Sequence, residues 1–351
     1  MKRESIIQII VIVILTIILG ILIYLNIEEI NKKEEVKEPE NRFEMREESK
    51  EKETKESDIE KGEEVSEKEI DLSKYDNNIT INKGGTYTLT GEFEHSVLID
   101  SENEVTLILD NVTIENENTA SIANISENDL TIKLEENTEN NLSDGGSSEY
   151  DSCIYSKGNL TIEGKGILNV YGNQEEGEGI ATETKDITIN SGIINIESED
   201  DGINAGGDGG TITINDGTIY IKANGDGIDS NKNLIINGGK IYTVGSPIGG
   251  DAGIDTDDGF EINGGELIAL GSDMLEKPES TSTQEFICFT LKDKISKGAT
   301  ITLKNDEEEE IIEFEADEEF KTFIISNEKI TKGTYYLYEN EEKTEYTAEV
   351  K

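Results

Sequence analysis

From about residue 100 onward, apolar and polar residues alternate in short runs, and each run ends at glycine, asparagine or aspartate. A period of two that keeps breaking at turn residues predicts β-strands joined by tight corners, and no stretch carries a competing helical period. The runs also repeat. Gly179-Ile180-Ala181, Gly202-Ile203-Asn204, Gly227-Ile228-Asp229 and Gly253-Ile254-Asp255 share one form, with their glycines 23, 25 and 26 residues apart. A second phrase keeps step: Ile187 to Gly192, Ile212 to Gly217, Leu234 to Gly239 and Phe260 to Gly265. A unit of ~25 residues at ~3.3 Å per residue supplies three short strands and three corners, which is one coil of a parallel β-helix.

Aligning the copies on the second glycine predicts what stacks. Ile189, Ile214, Ile236 and Ile262 form one row, and Ile194, Ile219, Ile241 and Leu267 another. Both should face inward as aliphatic ladders, because a single coil cannot bury its own face and depends on its neighbours. Asn190, Asn215, Asn237 and Asn263 form a third row, expected to hydrogen-bond along the axis as stacked amides do. Fainter coils extend upstream at Leu160 to Gly166, Leu130 to Leu134 and Val105 to Leu109. After the repeats the pattern changes. Phe286 to Lys292, Ala299 to Lys304, Ile311 to Glu315, Phe320 to Ser326 and Thr334 to Tyr338 read as an antiparallel module that covers the open end of the stack.

The N-terminus differs from all of this. An almost uninterrupted apolar run from Ile6 to Ile27 follows Met1-Lys2-Arg3 and precedes Glu28-Glu29. Its length suits a ~30 Å hydrocarbon core at ~1.5 Å rise per residue, and the charges put the start of the chain in the cytoplasm and the rest outside. The alternative is a cleaved signal peptide, against which the long run and the lack of a small-residue cleavage site argue. Residues 28–70 are Glu-, Lys- and Ser-rich and read as a disordered linker. The expected order is an anchor over 1–27, the linker over 28–70, the β-helix over 71–275 and the β module over 276–351.

Composition narrows the partners. With 78 acidic residues against 31 basic ones, the net charge is −47. Nucleic-acid binding through a basic surface is excluded, whereas solubility and divalent cations are favoured. The two cysteines, Cys153 and Cys288, fit either buried thiols or one disulfide and match no zinc motif.

Several unlike segments occur together in a telling order: Gly84-Gly85-Thr86-Tyr87-Thr88-Leu89-Thr90-Gly91, then Val105 to Asp110, then the Asp-Gly-Ile and Asn-Gly-Gly coils, then Phe323-Ile324-Ile325-Ser326 and Lys332-Gly333-Thr334-Tyr335-Tyr336. In this the chain resembles, over about 75–340, a bacterial cell-surface carbohydrate-binding domain family with a pectate-lyase-like right-handed parallel β-helix. The resemblance implies bound calcium and binding, rather than cutting, of plant-type polysaccharides such as cellulose and pectin.

The residues can be weighed against that implication. Asp200, Asp201, Asp226, Asp229, Asp251, Asp255, Asp257 and Asp258 gather at the coil corners. Asp201 and Asp226 share a position in adjacent coils, as do Asp229 and Asp255, so stacking brings carboxylates together. Such pairs repel unless a cation lies between them, and Ca²⁺ takes oxygen ligands at about 2.3–2.6 Å. The other reading is a solvated corner whose Asp-Gly pairs only make turns. For sugar, Tyr220 and Tyr242 fall one residue past the inward row and should stand side by side on the outside, with Tyr171 near them. They are either an aromatic platform for a glycan or a surface ladder that stabilises the sheet.

An enzyme is the rival class. All three arginines, Arg3, Arg42 and Arg46, lie outside the solenoid, so a lyase base would fall to Lys222, Lys232 or Lys240. Asp200-Asp201 and Asp257-Asp258 superficially suit a hydrolase pair. The accompanying His-Gly and Arg motifs are absent, and His95 is the sole histidine. A third class is a structural surface protein or adhesin. The expectation taken forward is an anchored, extracellular, non-catalytic polysaccharide binder.

Overall fold

The computed structural model describes residues 60–207 and 209–350. The apolar segment 6–27 and residues 28–59 of the expected linker lie outside the described residues. Among the described residues no helix is long and apolar enough to cross a membrane.

Short strands stack in register into an all-β, right-handed-type solenoid with three faces. The first face is a sheet of nine strands running from Glu63–Val65 to Ile254–Thr256. The second and third faces belong to one larger sheet. The long strands Gly85–Phe93 and Val105–Glu115 cross both faces, with a register shift between Leu89 and Gly91. Later coils split that path into a short strand and a longer one, such as Ile187–Ile189 and Ile193–Ser198. The upstream coils join as expected: Leu160 pairs with Leu130, and Leu130 with Val105.

The aliphatic rows are the core. Ile189, Ile214, Ile236 and Ile262 are buried, as are Ile194, Ile219, Ile241 and Leu267. A third buried row, Ile180, Ile203, Ile228 and Ile254, lines the first face. Each such side chain contributes about 1.5–3 kcal/mol of hydrophobic stabilisation, but only because the coils above and below complete its surroundings.

Two glycine rows set the corners, for two physical reasons. Gly192, Gly217, Gly239 and Gly265 have φ of 125°, 121°, 90° and 90°, a region that side chains strain to reach. Gly179, Gly202 and Gly227 are small because the next coil is close. A Cβ on Gly202 would stand 2.5 Å from the Gly227 carbonyl oxygen and 2.2 Å from the Ile221 side chain.

The folded chain starts earlier than the expected boundary at 71. Glu63–Val65 pairs with Ile79–Ile81, and Glu69–Asp71 with Gly85–Phe93, so residues 63–70 belong to the solenoid and not to a linker. Val65, Ile70 and Leu72 are the apolar anchors there. One such residue per strand among many charges leaves no visible pattern.

At the other end the antiparallel module matches expectation. Phe320–Ser326 adds antiparallel to the last coil strand, Glu266–Gly271, and Phe286–Ile295 adds to it in turn. Glu310–Glu315, Thr300–Asn305, Gly333–Glu339 and Glu342–Val350 form a separate four-stranded sheet, and it shares a second core with Phe286–Ile295, Phe320–Ser326 and the Val244, Ile268 and Leu270 side chains of the last coils. Both cysteines are free thiols, Cys153 buried and Cys288 half-buried.

Candidate functional site

The acidic corner lies where the third face turns into the first. Stacking there is fixed by the backbone: the Gly179 amide donates to the Asp201 carbonyl and the Gly202 amide to the Asp226 carbonyl, both at 2.9 Å. The aspartates add a second tie. Asp201 Oδ1 accepts the Asp226 amide at 2.7 Å, and Asp226 Oδ1 accepts the Ala252 amide at 2.6 Å. Each aspartate thus clips the next coil with one oxygen and keeps the other for something else. Asp201 Oδ2 also accepts from Asn204 Nδ2 at 3.0 Å.

Asp201, Asp226 and Asp229 are all buried, and their carboxylate oxygens lie within 4.8 Å of one another. Burial pushes the Asp201 carboxyl well up, and the like charges of Asp200, Asp229 and Asp226 push it further. Burial raises Asp226 to about 8 against the help of the Ala252 amide, and Asp255, Asp229 and Asp251 add to the rise. Glu178 occupies the same row one coil earlier, above Ser152. Its Oε2 is buried without a hydrogen-bond partner, and burial followed by Asp151 and Asp201 raises it well above the usual range.

The donor set suits a hard divalent cation. Oxygens on opposite sides of a Ca²⁺ ion stand up to ~5 Å apart, which matches the span of the three carboxylates. An ion there would also relieve the repulsion that raises their pKa values.

Of the eight aspartates expected at a metal site, the fold brings three together. Asp229 and Asp255 do share a register. Asp200, Asp251 and Asp255 flank the cluster and are half-buried. Asp257 and Asp258 do not belong to it. They are exposed beyond the strand Ile254–Thr256, at the following corner, where their amides bond Ser230 and Lys232 carbonyls at 3.0 and 2.8 Å. Proximity in sequence placed them with the others, but the intervening strand carries them away. Glu178 escaped notice because its coil reads Glu-Gly where its neighbours read Asp-Gly.

Tyr220 and Tyr242 are in register and stacked, with ring centroids 5.5 Å apart and planes within 4°. They do not form an open strip. The Tyr220 hydroxyl donates to Asp317 at 3.1 Å, the Tyr242 hydroxyl accepts the Asp317 amide at 3.2 Å, and the Tyr242 ring meets Phe314 edge-on. Burial, the largest cause, pushes the Tyr242 hydroxyl up to about 12. The pair seats the C-terminal module, which strand parity alone could not reveal. Tyr171 stands apart from them, in register with Glu197 and two coils before Lys222, and it is 39% exposed.

The expected Asn ladder is present. Asn215 donates to Asn190, Asn237 to Asn215 and Asn263 to Asn237, at 2.8, 2.9 and 3.3 Å. A second ladder runs along the third face, where Asn169 donates to Asn141 at 2.8 Å and Asn195 to Asn169 at 2.7 Å. The same row continues as Tyr220 and Tyr242, so no single residue type marked it. Of the lysines considered as a base, Lys222 is held by Glu318 at 3.1 Å and Lys240 lies 3.8 Å from Glu266. The Lys232 side chain lies against Gly209.

Comparisons with known proteins bear on this arrangement. A family profile described as "Carbohydrate-binding domain-containing protein" matches residues 75–319. A curated relative of that description from Acetivibrio thermocellus is 32% identical over 138 residues, which cover 36% of this chain and 47% of the relative. The chain therefore spans about half the length of the curated relative it matches. A solved structure described as a polysaccharide lyase-like protein from C. thermocellum, in a gadolinium derivative, is 27% identical. That match covers 55% of this chain and 84% of the other, at a TM-score of 0.39.

Proposed function

Because the chain belongs to the family of carbohydrate-binding domain-containing proteins, we propose that it binds polysaccharide without cleaving it, on a solenoid stiffened by calcium. The family match over 75–319 carries the first part of this reading. The second part rests on the Asp201, Asp226 and Asp229 cluster. These three residues would hold the ion, and Glu178, with its buried unpartnered oxygen, stands next in the row. When bound, Ca²⁺ supplies positive charge that ties neighbouring coils together.

A binding role suits the chemistry present. The charges that act most strongly on Asp201 and Asp226 are other carboxylates, so no cationic side chain is set there as a base. Lys222, the candidate nearest in sequence to Asp226, is engaged by the C-terminal module. The apolar segment 6–27, with Lys2 and Arg3 before it and Glu28 and Glu29 after it, supports single-pass anchoring with the solenoid outside the cell.

The test is retention of the purified protein on insoluble cellulose and on pectin, with and without EGTA, while the supernatant is assayed for unsaturated or reducing-end products. Retention without products is expected, weakened by EGTA. Products would overturn the non-catalytic reading, and the absence of any retention would leave a structural surface protein.

A further inference from the structure

Resting on the polysaccharide-binding reading, we infer that the glycan seat is the part of the third face left open by the C-terminal module, between Tyr171 and Ile193, and that it takes an uncharged polysaccharide. Among the described residues three large apolar side chains are exposed: Tyr171 at 39%, Ile193 at 41% and Ile248 at 70%. Two of the three stand on consecutive strands of this one face, Ile167–Gly172 and Ile193–Ser198.

Their spacing suits an extended ligand. Ile193 pairs with Ile167 and Tyr171 with Glu197, so the two apolar groups are four residues along and one coil across. At ~3.3 Å per residue and ~4.8 Å per coil they stand ~14 Å apart. Between them lie the stacked amides of Asn169 and Asn195. The ladder stops at Asn195, because the next position in the row is Tyr220. Asn195 Oδ1 and the Tyr171 hydroxyl accept and donate nothing within the described residues. A ring face and a branched aliphatic group with open amide and hydroxyl groups between them match the two sides of a sugar ring: apolar C–H faces and polar hydroxyl edges.

Charge selects the class. The strands Glu139–Ser143, Ile167–Gly172 and Ile193–Ser198 contain Glu139 and Glu197 and no lysine or arginine. Lys165 and Lys240 line the hollow beside Ile193, but on a chain of net charge −47, with Glu139 and Glu197 the charges on the strands themselves, an anionic glycan is disfavoured. Glu197, and the second oxygen of Glu139, whose Oε1 accepts from Asn169 at 3.1 Å, can instead accept hydroxyls. The module sets the direction. It occupies Tyr220 through Asp317 and Lys222 through Glu318, which closes the face towards the C-terminal coils. A bound chain therefore runs across the strands' length, from Ile193 towards Tyr171, and not along the solenoid axis.

The test uses the whole protein, with the double variant Tyr171→Ala/Ile193→Ser and, as a control, Ile248→Ser. Retention on cellulose is expected to fall at least tenfold for the double variant and to stay unchanged for the control. Circular dichroism and the melting temperature should not move, since all three side chains are exposed. Should the double variant misfold, Tyr171→Ser alone reads the same loss. Wild-type retention matched by a folded variant would overturn the seat while leaving the binding function intact. Retention on calcium-free pectin but not on cellulose would overturn the uncharged class. If the wild type is retained on neither, the functional reading falls and the seat falls with it.

Discussion

Asp226 uses its two oxygens differently. One accepts the Ala252 amide, and the other faces Asp201 and Asp229. The consequence is a pH dependence of known sign. Its folded carboxyl lies at about 8, above the ordinary 3.8, because of burial and the carboxylates around it. The folded state therefore holds the proton more tightly than the unfolded chain does. The associated stability is fully present below 3.8 and is lost as pH rises to about 8. In EGTA, the melting temperature should fall between pH 5 and pH 8, and added calcium should raise it more at pH 8 than at pH 5. Asp226→Asn keeps the acceptor for Ala252 but removes the charge. It should flatten the pH profile and abolish the calcium shift. Scanning calorimetry decides this, and a calcium-free profile that does not change with pH would defeat the account. Asn215 offers a smaller test. Asn215→Ala breaks a ladder bond on each side and should cost about 1 kcal/mol, given ~0.5–1.5 kcal/mol per net hydrogen bond and the exposure of the row.

At the scale of the strand and corner, glycine is required by approach as well as by conformation. Gly202→Ala puts a methyl against the Gly227 carbonyl and Ile221, and overpacking of this kind costs about 1–3 kcal/mol. Gly250→Ala, with nothing within 4 Å of its added carbon, should be neutral. Paired urea denaturation curves measure the difference, and equal midpoints would refute it. This element was the most legible in the sequence, because Gly-Ile and Asn-x-Gly recur once per coil and a residue that recurs in a stack must meet its own copies. The Ile and Asn rows followed from the same repetition. The start at Glu63–Val65 was illegible because Val65 and Ile70 stand alone among charged neighbours. The second amide ladder was hidden for a related reason. Its row passes from Asn141, Asn169 and Asn195 to Tyr220 and Tyr242, so only the strand register joins them.

The described residues form a stack whose C-terminal end is covered. The end strand Glu266–Gly271 would carry unpaired amides and carbonyls if Phe320–Ser326 did not add to it. The same module covers the Tyr220 and Tyr242 rings and engages Lys222 through Glu318. That cover could be foreseen from the strand pattern after residue 280. What it covers could not, because contact between elements ~75–100 residues apart leaves no local trace in the chain. The cover explains why an aromatic pair one residue out of phase with the core is compatible with a soluble surface. It also predicts what removal would do. A chain ending at residue 275 exposes an open strand edge next to two stacked tyrosines and the apolar Ile268, a combination that favours edge-to-edge pairing. It should self-associate, with a sedimentation profile that shifts with concentration, whereas the full chain should not. Because each coil contacts only its neighbours, the upstream coils should keep their circular dichroism signal in that truncated chain. Tyr171 and Ile193 lie on those coils, so cellulose retention should survive as well. A monomeric truncated chain would show that the module does not guard the edge, and loss of retention would move the seat onto the module itself.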